Sequence, residues 1–236
     1  MYYNAVFRPL YRRCDRIVCI SEHTRNEFME WSGMREDRVV VVPNAIDPAF
    51  ADASDPLPTE RPFVFYAGNR RGYKNVPLLM RAFGASGLAR EGLDLVLTGN
   101  SDPSLQALAD EAGVGPALKF TGFLDDRDLV AYYKAARCFA FLSKYEGFGL
   151  PILEAMACDT PLLLARASSL PEVAAEAALY ADPDDVEEVA AGLRTLCTDD
   201  AVRRDILSKS RLRREVYRAD VSSARLWSLI QQVSDE

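Results

Sequence analysis

The stretch CFAFLSKYEGFGLPILEAMAC, residues 138–158, decides the fold of this 236-residue chain. It begins with a short apolar and aromatic run, which is typical of a β-strand covered on both faces. A loop with two glycines follows, and Pro151 then suits the first turn of a new helix. A buried strand that leads through a glycine loop into a helix is the unit from which parallel α/β sheets are built.

The rest of the chain repeats this alternation. Further strands are predicted near 17–20, 39–42, 63–67, 94–98, 118–120 and 161–164. Helices are predicted at about 21–32, 76–86, 104–113, 127–136, 151–158, 184–197, 200–217 and 221–233. Ser21 (with Thr24) and Asp126 are the predicted N-caps. The pattern predicts a Rossmann-like parallel sheet with helices on both faces.

A proline-rich stretch divides the chain. Residues 43–62 hold five prolines and little apolar periodicity, which indicates a linker. Residues 1–42 are too few for a domain and are interpreted as a remnant β-α unit, residues 63–220 as the main domain, and residues 221–236 as a C-terminal helix. The lone strand near 17–20 must dock on the main domain, pair with another chain, or remain poorly ordered.

Composition excludes several classes of protein. The chain is 49% hydrophobic and 27% charged, which excludes collagen-like, disordered and small disulfide-stapled proteins. A net charge of −7 argues against a nucleic-acid binder, whose phosphate contacts need a basic excess. The five cysteines are odd in number and form no CxxC pair, so we expect buried, reduced thiols.

The N-terminus carries no secretory or membrane-spanning pattern. No apolar run approaches the ~18 residues of a membrane helix, and arginines interrupt the first 16 residues. The same stretch carries the aromatic side chains Tyr2, Tyr3, Phe7 and Tyr11. They indicate either a helix that lies in a membrane interface or one whose aromatic face packs on a neighbouring domain.

Two carboxylates flank the glycine loop at 146–149. Gly147 and Gly149 let backbone amides approach a ligand closely, and the following helix adds its positive end. Glu146 and Glu154 can each accept a pair of hydroxyl groups, which suits a polyhydroxylated ligand. The alternative is a plain glycine-rich turn before a helix with an acidic start.

A second loop, at 68–75, concentrates positive charge. Arg70, Arg71 and Lys74 lie beside Gly68 and Gly72 in an otherwise acidic chain, which favours a diphosphate ligand. The glycine spacing is not that of a Walker loop, and no GxGxxG occurs. The alternative is a solvated basic turn, and the pattern does not decide which arginine faces the ligand.

Taken together, these segments resemble the nucleotide-sugar-binding half of the retaining glycosyltransferases of family 4, which have the two-domain GT-B fold. The resemblance rests on EGFGLPILE (146–154), YAGNRRGYKN (66–75), VVPNAID (41–47), SSLPEVAAEAALYADPDD (168–185) and CISEHTRNEF (19–28). The YKN and SSLPE forms resemble mannosyltransferase-like enzymes of cell-surface polysaccharide assembly.

The resemblance implies a role for each matching residue. Glu146, Arg70 and Lys74 would be catalytic: Glu146 would contact the donor sugar, and the two cations would neutralise the diphosphate leaving group. Glu154 would hold the ribose diol. The other implied substrate-binding residues are Gly68, Asn69, Arg71, Asn100, Phe123, Leu124, Gly147, Phe148, Gly149 and Leu150.

Within this group the resemblance assigns backbone amides and a base site. The amides of Gly147, Phe148, Gly149 and Leu150 would face sugar and phosphate. The base would lie near Phe123 and Leu124, and Asn100 would line the same cleft or be only a turn residue. No metal and no cofactor is implied, because the pairs at 125–126 and 184–185 are interpreted as helix caps.

The implied function is transfer of a sugar, with mannose favoured, to a glycan or a lipid-linked acceptor. GDP-mannose is the favoured donor, with UDP- and ADP-sugars as alternatives. The implied location is the cytoplasm or the inner face of the membrane, and the acceptor domain of the family would be missing from this chain. The alternatives are a nucleotide-sugar-binding module without transfer activity, a protein that dimerises through residues 1–42, and a sugar-nucleotide epimerase, which the YKN form disfavours.

Overall fold

The computed structural model describes residues 7–51 and 55–235. Residues 1–6 of the predicted N-terminal unit (with Tyr2 and Tyr3), residues 52–54 of the predicted linker and residue 236 of the predicted C-terminal segment lie outside the described residues. The strands are β1 (Ile17–Cys19), β2 (Val39–Val41), β3 (Phe63–Tyr66), β4 (Asp94–Leu97), β5 (Leu118–Phe120), β6 (Cys138–Phe141), β7 (Leu162–Ala165) and β8 (Leu179–Ala181). The helices are α1 (Arg8–Tyr11), α2 (Glu22–Ser32), α3 (Val76–Ser86), α4 (Pro103–Glu111), α5 (Asp126–Ala135), α6 (Leu150–Ala157), α7 (Leu170–Ala174), α8 (Val186–Thr198), α9 (Asp200–Arg214) and α10 (Ala219–Ser234).

The main sheet is six-stranded and parallel, with the order β5-β4-β3-β6-β7-β8. Every residue of β3, β4, β6 and β7 is buried, because helices cover both faces of the sheet. On these faces α3 packs against α8, and α5 packs against α6. The predicted Rossmann-like sheet with helices on both faces is confirmed.

Short elements account for most of the differences from prediction. The N-terminal helix that the aromatic residues indicate is present as α1, but the sequence pattern does not predict β8 or α7, each of which has five residues or fewer. Such segments are too short to show a hydrophobic period. The predicted helix at 200–217 ends at Arg214 and continues as a 3-10 turn, Glu215–Tyr217.

The caps are partly as predicted. Ser21 caps α2 by accepting a hydrogen bond from the amide of Thr24 at 3.0 Å, as expected. The prediction of Asp126 as a cap is wrong: Asp125 caps α5, because its Oδ1 accepts from the amide three residues on at 2.8 Å. Of the pair at 184–185, Asp185 caps α8, whereas Asp184 forms an ion pair with Lys144.

The N-terminal segment forms a small βαβ unit. Strands β1 and β2 pair in parallel, and α2 connects them. The lone strand near 17–20 therefore finds its partner within the chain. The ring of Tyr11 packs edge-on against Phe28 and Trp31 of α2, with centroids 5.2 and 5.7 Å away. Tyr11 thus packs on a neighbouring element, and Phe7 stacks on Tyr11 with ring centroids 6.2 Å apart.

The predicted linker lies against the main sheet domain. Phe50 is buried in its core, and the amide of Ile46 donates to the carbonyl of Tyr217 at 2.8 Å. Farther along, the amide of Leu57 donates to the carbonyl of Ala131. These contacts fix both ends of the linker on the surface of the sheet domain.

The cysteines are all free, and all but the half-buried Cys14 are buried, as expected. In residues 7–51 and 55–235, no helix is both long and apolar enough to cross a bilayer. The same residues contain no group of three or more His, Cys, Asp or Glu side chains placed to hold a metal ion.

Candidate functional site

The candidate site lies where the order of the main sheet reverses. The chain builds β3, β4 and β5 in one direction, then returns to place β6 on the other side of β3. The loops after β3 and β6 therefore diverge from neighbouring strand ends and leave a crevice, where ligands bind in sheets of this type. These are the two loops that the sequence analysis selects.

An ion pair joins the two loops across the crevice. Lys74 Nζ lies 2.5 Å from Glu146 Oε1, and the two side chains are only 9% and 13% exposed. The ammonium group also lies 5.0 Å from the ring centroid of Phe141 and 5.2 Å from that of Tyr73. A cation and a carboxylate are thus held together at the reversal point in a poorly solvated position.

Arg70 is the arginine that turns into the crevice, whereas the side chain of Arg71 is exposed. Arg70 Nη2 donates to the carbonyl of Thr98 at 2.6 Å, and the Arg70 guanidinium lies 4.9 Å from the ring centroid of Phe120. Burial lowers the pKa of Arg70, although the Asp102 carboxylate opposes this. This placement depends on Gly99: a Cβ atom there would lie 2.7 Å from Arg70 Nη2.

Two adjoining pockets continue the crevice along the strand ends. One, of about 460 Å³, is lined by Gly68, Asn69, Arg70 and Asn100 among others. The other, of about 390 Å³, is lined by Gly68, Phe123, Leu124 and Glu154 among others. Phe123 is 94% exposed at the rim of the second pocket. Gly68 lines both, and the two adjoining pockets are together called the channel.

Glu154 lies on the second turn of α6 at the edge of this channel. Its Oε2 accepts a hydrogen bond from the hydroxyl of the fully buried Tyr133 at 2.8 Å. Burial raises the pKa of Glu154, and the bond from Tyr133 opposes the rise. Tyr133 engages one carboxylate oxygen, which leaves the other for a ligand hydroxyl.

The glycine loop presents unused amides. Gly149 has φ of 93° and precedes α6, so an L-amino acid would be strained there. Within the described part of the chain, the amides of Gly147, Phe148 and Gly149 donate to no protein acceptor. The ring of Phe148 is buried against Tyr217, and the side chain of Leu150 is exposed.

A further cavity among the described residues lies away from this crevice. It has a volume of about 770 Å³ and lies between the linker and the junction of α9 with α10. None of the predicted site residues lines it. Its arginines are paired with neighbouring carboxylates, Arg214 with Asp159 and Arg218 with Glu215 and Asp220.

The residues that hold the glycine loop in place are not predicted from the sequence. Ser168 Oγ accepts a hydrogen bond from the amide of Glu146, and Ser169 Oγ donates one to the carbonyl of Glu146, both at 2.9 Å. Both serines belong to the SSLPE motif, but the sequence pattern assigns them no role. Tyr133 is also missed, because an aromatic residue in an apolar helix gives no sign that its hydroxyl meets a carboxylate.

Family models match both parts of the chain. The model described as "Glycosyl transferases group 1" matches residues 49–213, and "Glycosyltransferase Family 4" matches residues 1–50. The O-antigen chain mannosyltransferase B of Escherichia coli is 32% identical over 200 residues, which are 79% of this chain and 52% of that protein. The chain thus spans about half the length of this relative.

Solved structures have the same fold. Sucrose-phosphate synthase from Thermosynechococcus elongatus superposes with a TM-score of 0.83 at 24% identity, over 98% of this chain and 61% of that chain. HepE from Anabaena, solved with UDP and glucose, gives a TM-score of 0.77 at 18% identity, over 94% and 64%. The group 1 model covers the whole main sheet and every loop of the crevice, and the chain therefore belongs to the glycosyl transferases group 1 family.

Proposed function

We propose that this chain is the donor-binding half of a glycosyltransferase and binds a nucleotide-diphosphate sugar in the crevice between the β3 and β6 loops. The contact between Lys74 and Glu146 carries the proposal. In a nucleotide sugar, the distal phosphate and the sugar ring are joined through a single oxygen. The Lys74 cation suits the phosphate, and the Glu146 carboxylate suits the sugar hydroxyls. Because these two side chains are in contact, they match a phosphate and a sugar ring that are directly linked.

The rest of the ligand follows the channel. Glu154 accepts from the ribose diol with the carboxylate oxygen that Tyr133 leaves free. The base occupies the pocket beside Phe123 and Leu124. The diphosphate crosses the strand ends between Arg70, which lines one of the pockets, Lys74 and the amides of the glycine loop, which donate to no protein acceptor among the described residues.

The proposed chemistry is cleavage of the bond between the anomeric carbon and the diphosphate oxygen. The electron pair of that bond stays on the diphosphate, and the acceptor oxygen forms the new bond and gives up its proton to the departing phosphate. Lys74 stabilises the negative charge as it develops on the departing diphosphate. The proposal assigns this role to Lys74 and Arg70 rather than to a metal ion.

We favour mannose as the sugar and GDP-mannose as the donor, because the Escherichia coli relative is a mannosyltransferase. UDP- and ADP-sugars are the alternatives. A glycan or lipid-linked glycan is the proposed acceptor, which would bring the protein to the inner face of the membrane. Most of the acceptor site is assigned to a second domain, since this chain corresponds to about half of that relative.

Isothermal titration calorimetry tests the donor site. The ligands are GDP, UDP and ADP, their monophosphates and their mannose and glucose conjugates. We expect one base series to bind, Lys74→Met to weaken the diphosphate more than the monophosphate, and Glu154→Ala to weaken both. Lys144→Met is the matched control, because Lys144 lies on the facing loop after β6 and is exposed and paired with Asp184.

Three outcomes are decisive. Absence of binding to every nucleotide contradicts the donor site, and wild-type affinity of Lys74→Met for the diphosphate contradicts the phosphate assignment. Transfer of radiolabelled mannose from GDP-mannose to a polysaccharide acceptor by this chain would contradict the assignment of most of the acceptor site to a second domain.

A further inference from the structure

Two hydroxyl groups from the N-terminal βαβ unit hold one carbonyl of the glycine loop. Ser21 Oγ donates to the carbonyl oxygen of Gly147 at 2.6 Å, and Thr24 Oγ1 donates to the same oxygen at 3.0 Å. A carbonyl oxygen has two lone pairs, so these bonds satisfy it completely. Ser21 is fully buried at this contact.

This arrangement sets the direction of the next amide. The peptide bond between Gly147 and Phe148 is planar and trans, so its N–H points opposite to its C=O. Because the carbonyl points at the start of α2, the N–H of Phe148 points away from α2. That N–H belongs to the run of loop amides without an acceptor in the described residues.

The helix that carries these hydroxyls is itself fixed to the sheet domain. The carboxylate of Glu172 on α7 accepts from the amides of Glu22 and His23 at 2.8 and 3.1 Å. The hydroxyl of Tyr145 donates to Glu27 at 2.6 Å, farther along α2. Helix α2 is therefore anchored on both sides of the loop that it holds.

The two hydroxyls differ in what else they do. Ser21 also caps α2, so its removal would disturb the helix itself. Thr24 Oγ1 is not needed for that cap, since Ser21 already accepts from the amide of Thr24. Removing the Thr24 hydroxyl therefore takes away its bond to Gly147 and its 3.0 Å contact with Ser21 Oγ, but leaves the cap bond in place.

We propose that Ser21 and Thr24 are positioning residues of the donor site, which fix the Gly147–Phe148 peptide so that the Phe148 amide donates to the diphosphate-sugar part of the ligand. This inference rests on the proposed function. According to this inference, the N-terminal unit contributes to the affinity for the donor. The amide touches the ligand, and the two hydroxyls act through it.

Thr24→Val tests the inference, because valine keeps the shape of threonine and loses the donor. We expect the affinity for GDP-mannose to fall about 3- to 10-fold, as for loss of one hydrogen bond, while the affinity for GMP stays unchanged. Thr24→Ser keeps the hydroxyl and should retain the wild-type ratio of the two affinities. Hydrogen–deuterium exchange of a peptide spanning 143–150, without nucleotide, should be faster in Thr24→Val than in wild type and Thr24→Ser.

The outcomes separate this inference from the proposed function. Failure of the wild type to bind any of the guanine, uracil or adenine nucleotides overturns the proposed function, and with it the role of Phe148. Binding by the wild type with an unchanged ratio in Thr24→Val overturns the inference alone. Equal weakening of GDP-mannose and GMP also overturns it, because a merely structural effect would not favour the diphosphate-sugar end.

Discussion

Replacing Lys74 by methionine should destabilise the protein strongly. The substitution keeps most of the apolar volume between Tyr73 and Phe141 but leaves the Glu146 carboxylate, 13% exposed, without its cation. Removing one partner of a buried ion pair costs about 3 kcal/mol or more. For a chain of this size, 1 kcal/mol lowers Tm by about 2–4 °C, so Lys74→Met should unfold about 6–12 °C below wild type.

A double variant distinguishes the unpaired charge from lost packing. Lys74→Met with Glu146→Gln removes both charges, so its unfolding free energy should return to within about 1 kcal/mol of wild type. Lys144→Met, which breaks an exposed pair with Asp184, should cost less than about 1 kcal/mol. Thermal and urea unfolding at neutral pH measure all three variants against wild type. The reasoning is refuted if Lys74→Met has the same Tm as Lys144→Met, or if the double variant is no more stable than Lys74→Met.

Four further variants test three separate parts of the structure. Burial raises the pKa of Glu154, so the folded state holds its proton more tightly than the unfolded chain, and this stabilisation is lost as pH rises through the raised pKa. Glu154→Gln should therefore gain stability relative to wild type between about pH 4 and 7 in urea titrations, and a constant difference would contradict this. Asp125→Ala should cost about 1 kcal/mol of unfolding free energy and Asp126→Ala less than about 0.5, whereas the reverse order would restore Asp126 as the cap. Gly99→Ala, at φ of 90° and with its Cβ against Arg70, should cost about 1–3 kcal/mol, and a wild-type Tm would show that Arg70 does not occupy this position.

The fold was predictable because its strongest signals are local. Strands β3, β4, β6 and β7 are buried on both faces, so their sequences are apolar without interruption. The glycine, proline and cap residues that punctuate them mark where strands give way to helices. Strand β8 gives no such signal, since three residues at the edge of a sheet need no run of buried side chains.

The two loops of the candidate site were predictable, but their contacts were not. Glycines and charges at strand ends identify the loops after β3 and β6. That Lys74 meets Glu146 depends on the sheet order, which brings together loops 72 positions apart. The choice between Arg70 and Arg71 depends on room beside Gly99, a property of backbone that no spacing rule encodes.

The hydroxyl groups around the glycine loop show the same limit. Ser21 and Thr24 are recognisable as a helix start, yet their bonds to Gly147 span more than 120 positions. A cap residue needs no second partner, so local pattern assigns it only the local role. The contact appears once α2 is placed against the loop.

A crystal structure of this chain with GDP-mannose bound is the decisive measurement. We predict that the diphosphate lies within hydrogen-bonding distance of Lys74 Nζ and the Phe148 amide, that Glu154 contacts the ribose diol, and that Lys74 and Glu146 separate to admit the ligand. A nucleotide sugar ordered in the 770 Å³ cavity beneath the linker, with the Lys74–Glu146 pair intact, would contradict the proposed site.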